Sequence, residues 1–304
     1  MVMPMGMTIL IYRRKMDINK HYFKIADIII YVETEFNIEI KYESINFLYD
    51  KTNNEKENII FKFKKIDTPL KILGRFIYKD LIYIYSTEKG FVYEFYPAPE
   101  MEPYAWLIPV SEFYYEVLYL PGQEHYFEYS RNILEAIDIV QILNKYNAFI
   151  LHSSFINWKN KGIIFSAPSG TGKSTQADLW EKYEQAEIIN GDRAAIRNID
   201  GNWYAYGLPI AGSSNIFKNK RAELSHIIIL KQGKQNKLKK LSPREAFIKI
   251  YSETTIHTWD SEFQENIIDM ITDLVQEIPV YLYECLPDKS AVDFLKSTIE
   301  GDEK

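Results

Sequence analysis

A lysine and a serine in tandem, Lys173-Ser174, follow two closely spaced glycines, Gly170 and Gly172. One acid, Asp192, comes 19 residues after the lysine, and a histidine, His152, precedes the group. The stretch from Ala167 to Ser174 reads A-x-x-x-x-G-K-S, a phosphate-loop pattern with alanine in place of the usual first glycine. The glycines let the backbone turn with its amides pointing inward, and the positive end of a following helix adds to their pull on phosphate oxygens. Ser169, Gly170, Thr171, Gly172, Lys173, Ser174 and Thr175 therefore form the expected contact set for a nucleoside triphosphate, ATP in the first instance. Lys173 supplies a point charge to the outer phosphates, and the Ser174 hydroxyl is placed to ligate Mg2+, with Asp192 as a second metal ligand. Asp192 can equally accept the proton of an attacking hydroxyl.

The elements around these residues suit that chemistry. Gly162 to Ser166 reads as a strand running into the glycine-rich turn, and a helix begins near Lys173. Glu187 to Asn190 reads as a buried strand that delivers Asp192 at its end. Ala148 to Leu151 predicts the preceding strand and puts His152 at its end, in the crevice where α/β sheets bind ligands. Asp200-Gly201 between two apolar runs predicts a hairpin. Further on come a strand at His226 to Leu230, a capping box at Ser242-Pro243-Arg244-Glu245, and a long helix near Phe263 to Ile278. A strand at Val280 to Cys285 and a helix from Asp288 to Ile299 close the chain. Upstream, Ser130 is expected to cap one helix whose stripe is Ile133, Ile137, Val140 and Leu143, ending near Lys145 and Asn147.

Residues 1 to 128 are different in texture. Short apolar and aromatic runs at Ile25 to Val32, Ile59 to Phe63, Phe76 to Tyr85 and Phe91 to Tyr96 predict strands, separated by turn clusters such as Lys51-Thr-Asn-Asn54 and Lys89-Gly90. The 23 Tyr and 17 Phe are read as packing residues. Three prolines between Pro97 and Pro103 remove ladder donors, so that segment is a rim or linker. The chain thus divides into a β-rich region, 1–128, and an α/β region, 129–304. The first has no phosphate loop and no clustered acids, and it is expected to help select the acceptor.

Composition narrows the partners. With 304 residues, 46% of them apolar, a sizeable core is available. The 36 Lys and Arg against 42 Asp and Glu give a net charge of -6, which provides no global field for nucleic acid or an anionic membrane. Cys285 is the single cysteine, which excludes an intramolecular disulfide and fits a reducing cytoplasm. The apolar run Ile9 to Tyr12, followed by Arg13, Arg14 and Lys15, is too short and wrongly ordered for a secretory signal. No stretch is long and apolar enough to predict a membrane span. The pattern leaves room for a homo-oligomer.

Leu151-His152-Ser153-Ser154, Ser166 to Thr175, Asn190-Gly-Asp-Arg193, and Tyr206-Gly-Leu-Pro209 leading into His226 to Leu230 resemble the HPr kinase/phosphorylase family and, more distantly, phosphoenolpyruvate carboxykinase. The resemblance covers roughly residues 130 to 300. It implies an α/β P-loop kinase core of that type with a β-rich N-terminal region. It also implies active-site roles for His152, Lys173, Ser174 and Asp192, and ATP and Mg2+ as cofactors. The family places two consecutive aspartates where this chain has Gly191 and Asp192, and a metal-binding glutamate near Trp203 to Gly207. One acid fewer argues against the reverse, phosphorylase reaction. The chain looks closest to the branch in which some members phosphorylate a serine of a precursor peptide, so a peptide or protein serine is the implied acceptor. Free serine as acceptor, or a binding protein switched by nucleotide, are the alternatives.

Two basic stretches complete the reading. Lys218, Lys220 and Arg221 end a polar loop and can either meet a phosphate or acidic substrate or lie in solvent. Lys231 to Lys240, with five lysines, reads as a solvated hairpin or loop. His21, His125, His226 and His257 are taken as structural.

Overall fold

Short apolar and aromatic runs separated by turn clusters make the first third of the chain a sheet. The computed structural model describes residues 18–52, 55–79, 82–210, 212 and 214–302. The apolar run and basic triplet near the start, and the last two residues of the predicted 51–54 turn, lie outside that range. The chain opens with β1 (Asn19–Ile25), β2 (Ile28–Thr34), the one-turn helix α1 (Tyr42–Ile45), β3 (Ile59–Lys65), β4 (Arg75–Lys79) and β5 (Ile82–Thr87). It continues with β6 (Gly90–Phe95), β7 (Ala105–Ser111) and β8 (Tyr114–Tyr119). These form one eight-stranded sheet in the order β1-β2-β3-β8-β7-β6-β5-β4. Neighbours are antiparallel except β2 with β3 and β3 with β8. The strand expected over Phe76 to Tyr85 is two strands, β4 and β5, which pair antiparallel. Phe23, Phe61, Phe63, Phe95, Tyr119 and Phe127 are buried together, so the aromatic wealth of this region goes into packing.

The single helix expected from Ser130 is two, α2 (Ser130–Ala136) and α3 (Ile139–Lys145). Asp138 between them is left-handed, with φ 53°. Its carboxylate accepts the Gln141 amide hydrogen at 3.1 Å and lies 2.9 Å from His257 Nε2, so a contact from far along the chain holds the break. Ser130 is not the cap either. Tyr129 occupies that position, and the Ser130 hydroxyl accepts the Lys41 amide hydrogen at 3.0 Å.

A second sheet follows, built from β9 (Ala148–Trp158), β10 (Lys161–Ser166), β11 (Glu187–Asn190), β12 (Arg193–Ile199), β13 (Asn202–Gly207), β14 (Arg221–Gln232), β15 (Lys237–Lys240) and β16 (Val280–Cys285). Its helices are α4 (Lys173–Glu184), α5 (Pro243–Ser252), α6 (Ser261–Glu277) and α7 (Lys289–Asp302). The order is β10-β9-β12-β13-β14-β16-β15, with β11 beside β9. β10 also pairs with β14, in parallel, so β9, β12, β13, β14 and β10 form a closed ring of pairings. Successive residues face opposite sides: Ile227 and Ile229 pack against α5 and α6, and Ile228 and Leu230 against α4 and α7. The Asp200-Gly201 hairpin forms as expected, both residues having positive φ. The capping box at Ser242 and Glu245 is present, with proline at the start of α5. The Lys231 to Lys240 run is neither a hairpin nor a loop alone. Its second half is β15, which crosses to the far side of β16 and pairs there antiparallel.

One apolar cluster joins the two sheets. It contains Phe23, Ile30 and Val117 of the first, Ile133 and Ile142 of α2 and α3, and Ala148, Ile150, Ala195, Tyr206 and Leu208 of the second. Among the described residues no helix is long and apolar enough to cross a membrane.

Candidate functional site

β10 and β14 are apolar on both faces because helices cover both, and the glycine-rich loop leaves the Ser166 end of β10. The loop occupies 167–172, between β10 and α4. Gly170 has φ 78° and Gly172 φ 116°, both left-handed, which suits glycine. A Cβ at either would meet nothing within 4 Å, so the loop surrounds open space. Pro168, Ser169, Gly170, Ser174 and Thr175 are exposed, and Thr171 and Gly172 partly so. Lys173 is buried by contrast, and its ammonium donates to the Ala167 carbonyl at 2.7 Å. Burial pushes its pKa below the usual lysine value, while the charges of Glu253 and Asp192 oppose that shift.

Register brings the other residues to the same level of the sheet. Ser166, the last residue of β10, pairs with Ser153 of β9, and His152 next to it pairs with Arg193 of β12. β9 is longer than the predicted Ala148 to Leu151, so His152 lies mid-strand. It reaches the loop because β9 runs past the end of β10, and its carbonyl accepts the Ser166 hydroxyl at 2.9 Å.

β11 and β12 lie along the same edge of β9, interrupted at Gly191-Asp192. Such an interruption re-aims a side chain out of the ladder. Buried Asn190 shapes it. Its Oδ1 accepts the amide hydrogens of Asp192 and Arg193, both at 2.9 Å, and its Nδ2 donates to the carbonyls of Leu208 and Ile210. Gly212 closes over the acid, where a Cβ would fall 2.6 Å from Asp192 Oδ1.

The result is a cluster of His152, Asp192, Arg193 and Glu253 beside the loop. His152 Nδ1 lies 3.2 Å from Glu253 Oε2, and its Nε2 lies 3.9 Å from Asp192 Oδ1, beyond hydrogen-bond reach. Arg193 Nε donates to Asp192 Oδ2 at 3.4 Å, and its Nη1 donates to Thr255 Oγ1 at 3.2 Å. Glu253 and Thr255 belong to the segment joining α5 to α6 and carry no local signal. Asn190 has one, an amide side chain ending an apolar strand before glycine, which favours an Asx turn.

Lys218, Lys220 and Arg221 are not brought to the loop. Lys218 and Lys220 pair with Glu187 at 3.0 and 2.7 Å, at the end of β11 remote from Asp192. Arg221 pairs with Asp27 and Tyr206. It starts β14, whereas the loop end of β10 aligns with Ile229. Eight residues of strand separate those levels, about 26 Å.

Among the described residues no group of three or more His, Cys, Asp or Glu is arranged to hold a metal ion by itself. Mg2+ needs no such cage, since it keeps several waters and takes one or two protein oxygens plus phosphate oxygens. The exposed Ser174 hydroxyl and the Asp192 carboxylate are donors of the right chemistry for that mode.

No family model matches the chain, and no curated protein sequence matches it. Among solved structures, the Hpr(Ser) kinase/phosphatase from Coxiella burnetii aligns with 51% of this chain and 94% of its own, at 10% identity and a TM-score of 0.29. Agreement at that level carries no argument about fold or activity.

Proposed function

We propose that this chain is a kinase that transfers the γ-phosphoryl group of ATP to a hydroxyl, the serine of a peptide or protein. The observation that carries the reading is the meeting of a phosphate loop with one acid and one histidine, Asp192 Oδ1 and His152 Nε2 being 3.9 Å apart. An oxygen at about 2.8 Å from both fits that spacing, which suits a hydroxyl about to lose its proton. In this reading the loop amides and Lys173 hold the phosphates, and their fixed positive charge meets the charge that accumulates on the transferred group. Ser174 and Asp192 would hold Mg2+, which when bound offsets phosphate charge. The acceptor O–H bond breaks with its proton passing to Asp192, the oxygen bonds to the γ-phosphorus, and ADP departs. Glu253, facing His152 Nδ1, sets the ring orientation so that Nε2 faces the acceptor.

The test uses the full chain, γ-labelled ATP and extract from the native cell. A labelled peptide or protein is expected with the wild-type chain, and none with Asp192→Asn, which keeps shape and loses charge. Transfer by Asp192→Asn at near wild-type rate would remove the acid from the mechanism.

A further inference from the structure

The segment between α5 and α6 ties the site to the first sheet. Every second residue makes a contact: Glu253 with His152, Thr255 with Arg193, His257 with Asp138, and Trp259 with Tyr78, the last pair with ring centroids 4.6 Å apart. Beside Arg193 lies a cleft of about 400 Å³ formed by Tyr42, Arg131, Glu135, Ile210 and Asn215. Glu135 also lines a neighbouring apolar pocket of about 310 Å³, walled by Tyr78, Ile82, Ile84, Phe95 and Trp259. Glu135 lines both cavities, and Arg193, which donates to Asp192, lines the cleft, so acid, cleft and pocket lie in sequence.

We infer that this pocket is the subsite for a bulky apolar side chain of the peptide acceptor. The inference deepens the kinase reading and rests on it. The occupant follows from chemistry and reach. The walls are mainly aliphatic and aromatic, with Glu135, Asp138 and His257 also in the lining, and the volume suits one large side chain rather than a nucleotide. From Glu253 to Trp259 the backbone spans at most about 20 Å, so the anchoring residue lies within about six residues of the serine. A small hydroxyl compound, such as free serine, cannot bridge both places.

The experiment is a positional scan. Synthetic peptides with a single serine carry one Phe or Leu at each offset in an otherwise Ala and Gly background, and labelling from ATP is measured with the full wild-type chain. One offset is expected to raise labelling about tenfold or more over the all-alanine peptide, since burying such a side chain is worth that much affinity. Trp259→Ala should abolish the preference and Trp259→Phe should restore it. A flat scan, or labelling of free serine in preference to every peptide, overturns the subsite. ATP binding by the wild-type chain, measured separately, shows where a failure lies. Without ATP binding, or with ATP bound but no acceptor labelled, the kinase reading itself falls, and with peptides labelled equally at every offset only the subsite does.

Discussion

Lys173 is a buried lysine. An ammonium beneath a loop of carbonyls is held below the ordinary lysine pKa by burial, against the pull of Glu253 and Asp192. Only its charged form attracts phosphate. Because the pKa is depressed, the charge is present at low pH and is lost as pH rises through the lowered value. ATP affinity measured across pH should therefore begin to fall below the usual 10.5, and an affinity flat up to that value would contradict the assignment. That a strand, a glycine turn and a helix would carry Lys173 and Ser174, and that a strand would end just before Asp192, was legible because the motif is local and its flanks are periodic. Glu253 was not, since it meets His152 across 101 positions of chain and only the packing of α5 against the sheet brings it there. The three cations at 218–221 were ambiguous for the opposite reason. Their charge is visible, but their partners Glu187 and Asp27 become neighbours only through the β11 and β1–β2 connections.

At the scale of elements, local rules held where the deciding contacts are local. The Asp200-Gly201 turn and the Ser242 to Glu245 box depend on residues within a few positions of each other. The break between α2 and α3 depends on His257, 119 residues away, and the apolar stripe runs straight across it. Asp260 shows how such elements are joined. Its Oδ1 caps α6 by accepting the Phe263 amide hydrogen at 3.0 Å, and its Oδ2 accepts from Gln141 of α3 at 3.0 Å. Asp260→Ala removes a buried cap and orphans a donor, so a loss of about 1–2 kcal/mol is expected in denaturant unfolding. A change below a few tenths would show that neither bond matters.

For the whole molecule, the sequence marked a change of texture near residue 128, and the structure shows what that change does not separate. Ile133, Ile137, Ile150 and Leu208 lie in the same cluster as Phe61 and Val117. Exposing a large aliphatic side chain costs about 1.5–3 kcal/mol, and several together match the net stability of a domain. The fragment 129–304 alone is therefore expected to lack a cooperative thermal transition, whereas a sharp transition near that of the full chain would show an independent unit. The central claim, a phosphate loop that binds a nucleoside triphosphate through Lys173, is tested most directly by calorimetric titration of ATP with Mg2+ into the full chain and into Lys173→Ala. Saturable binding to the wild type, weakened about tenfold or more in the variant, is the predicted result. Equal affinity in both, or no binding by the wild type, would contradict it.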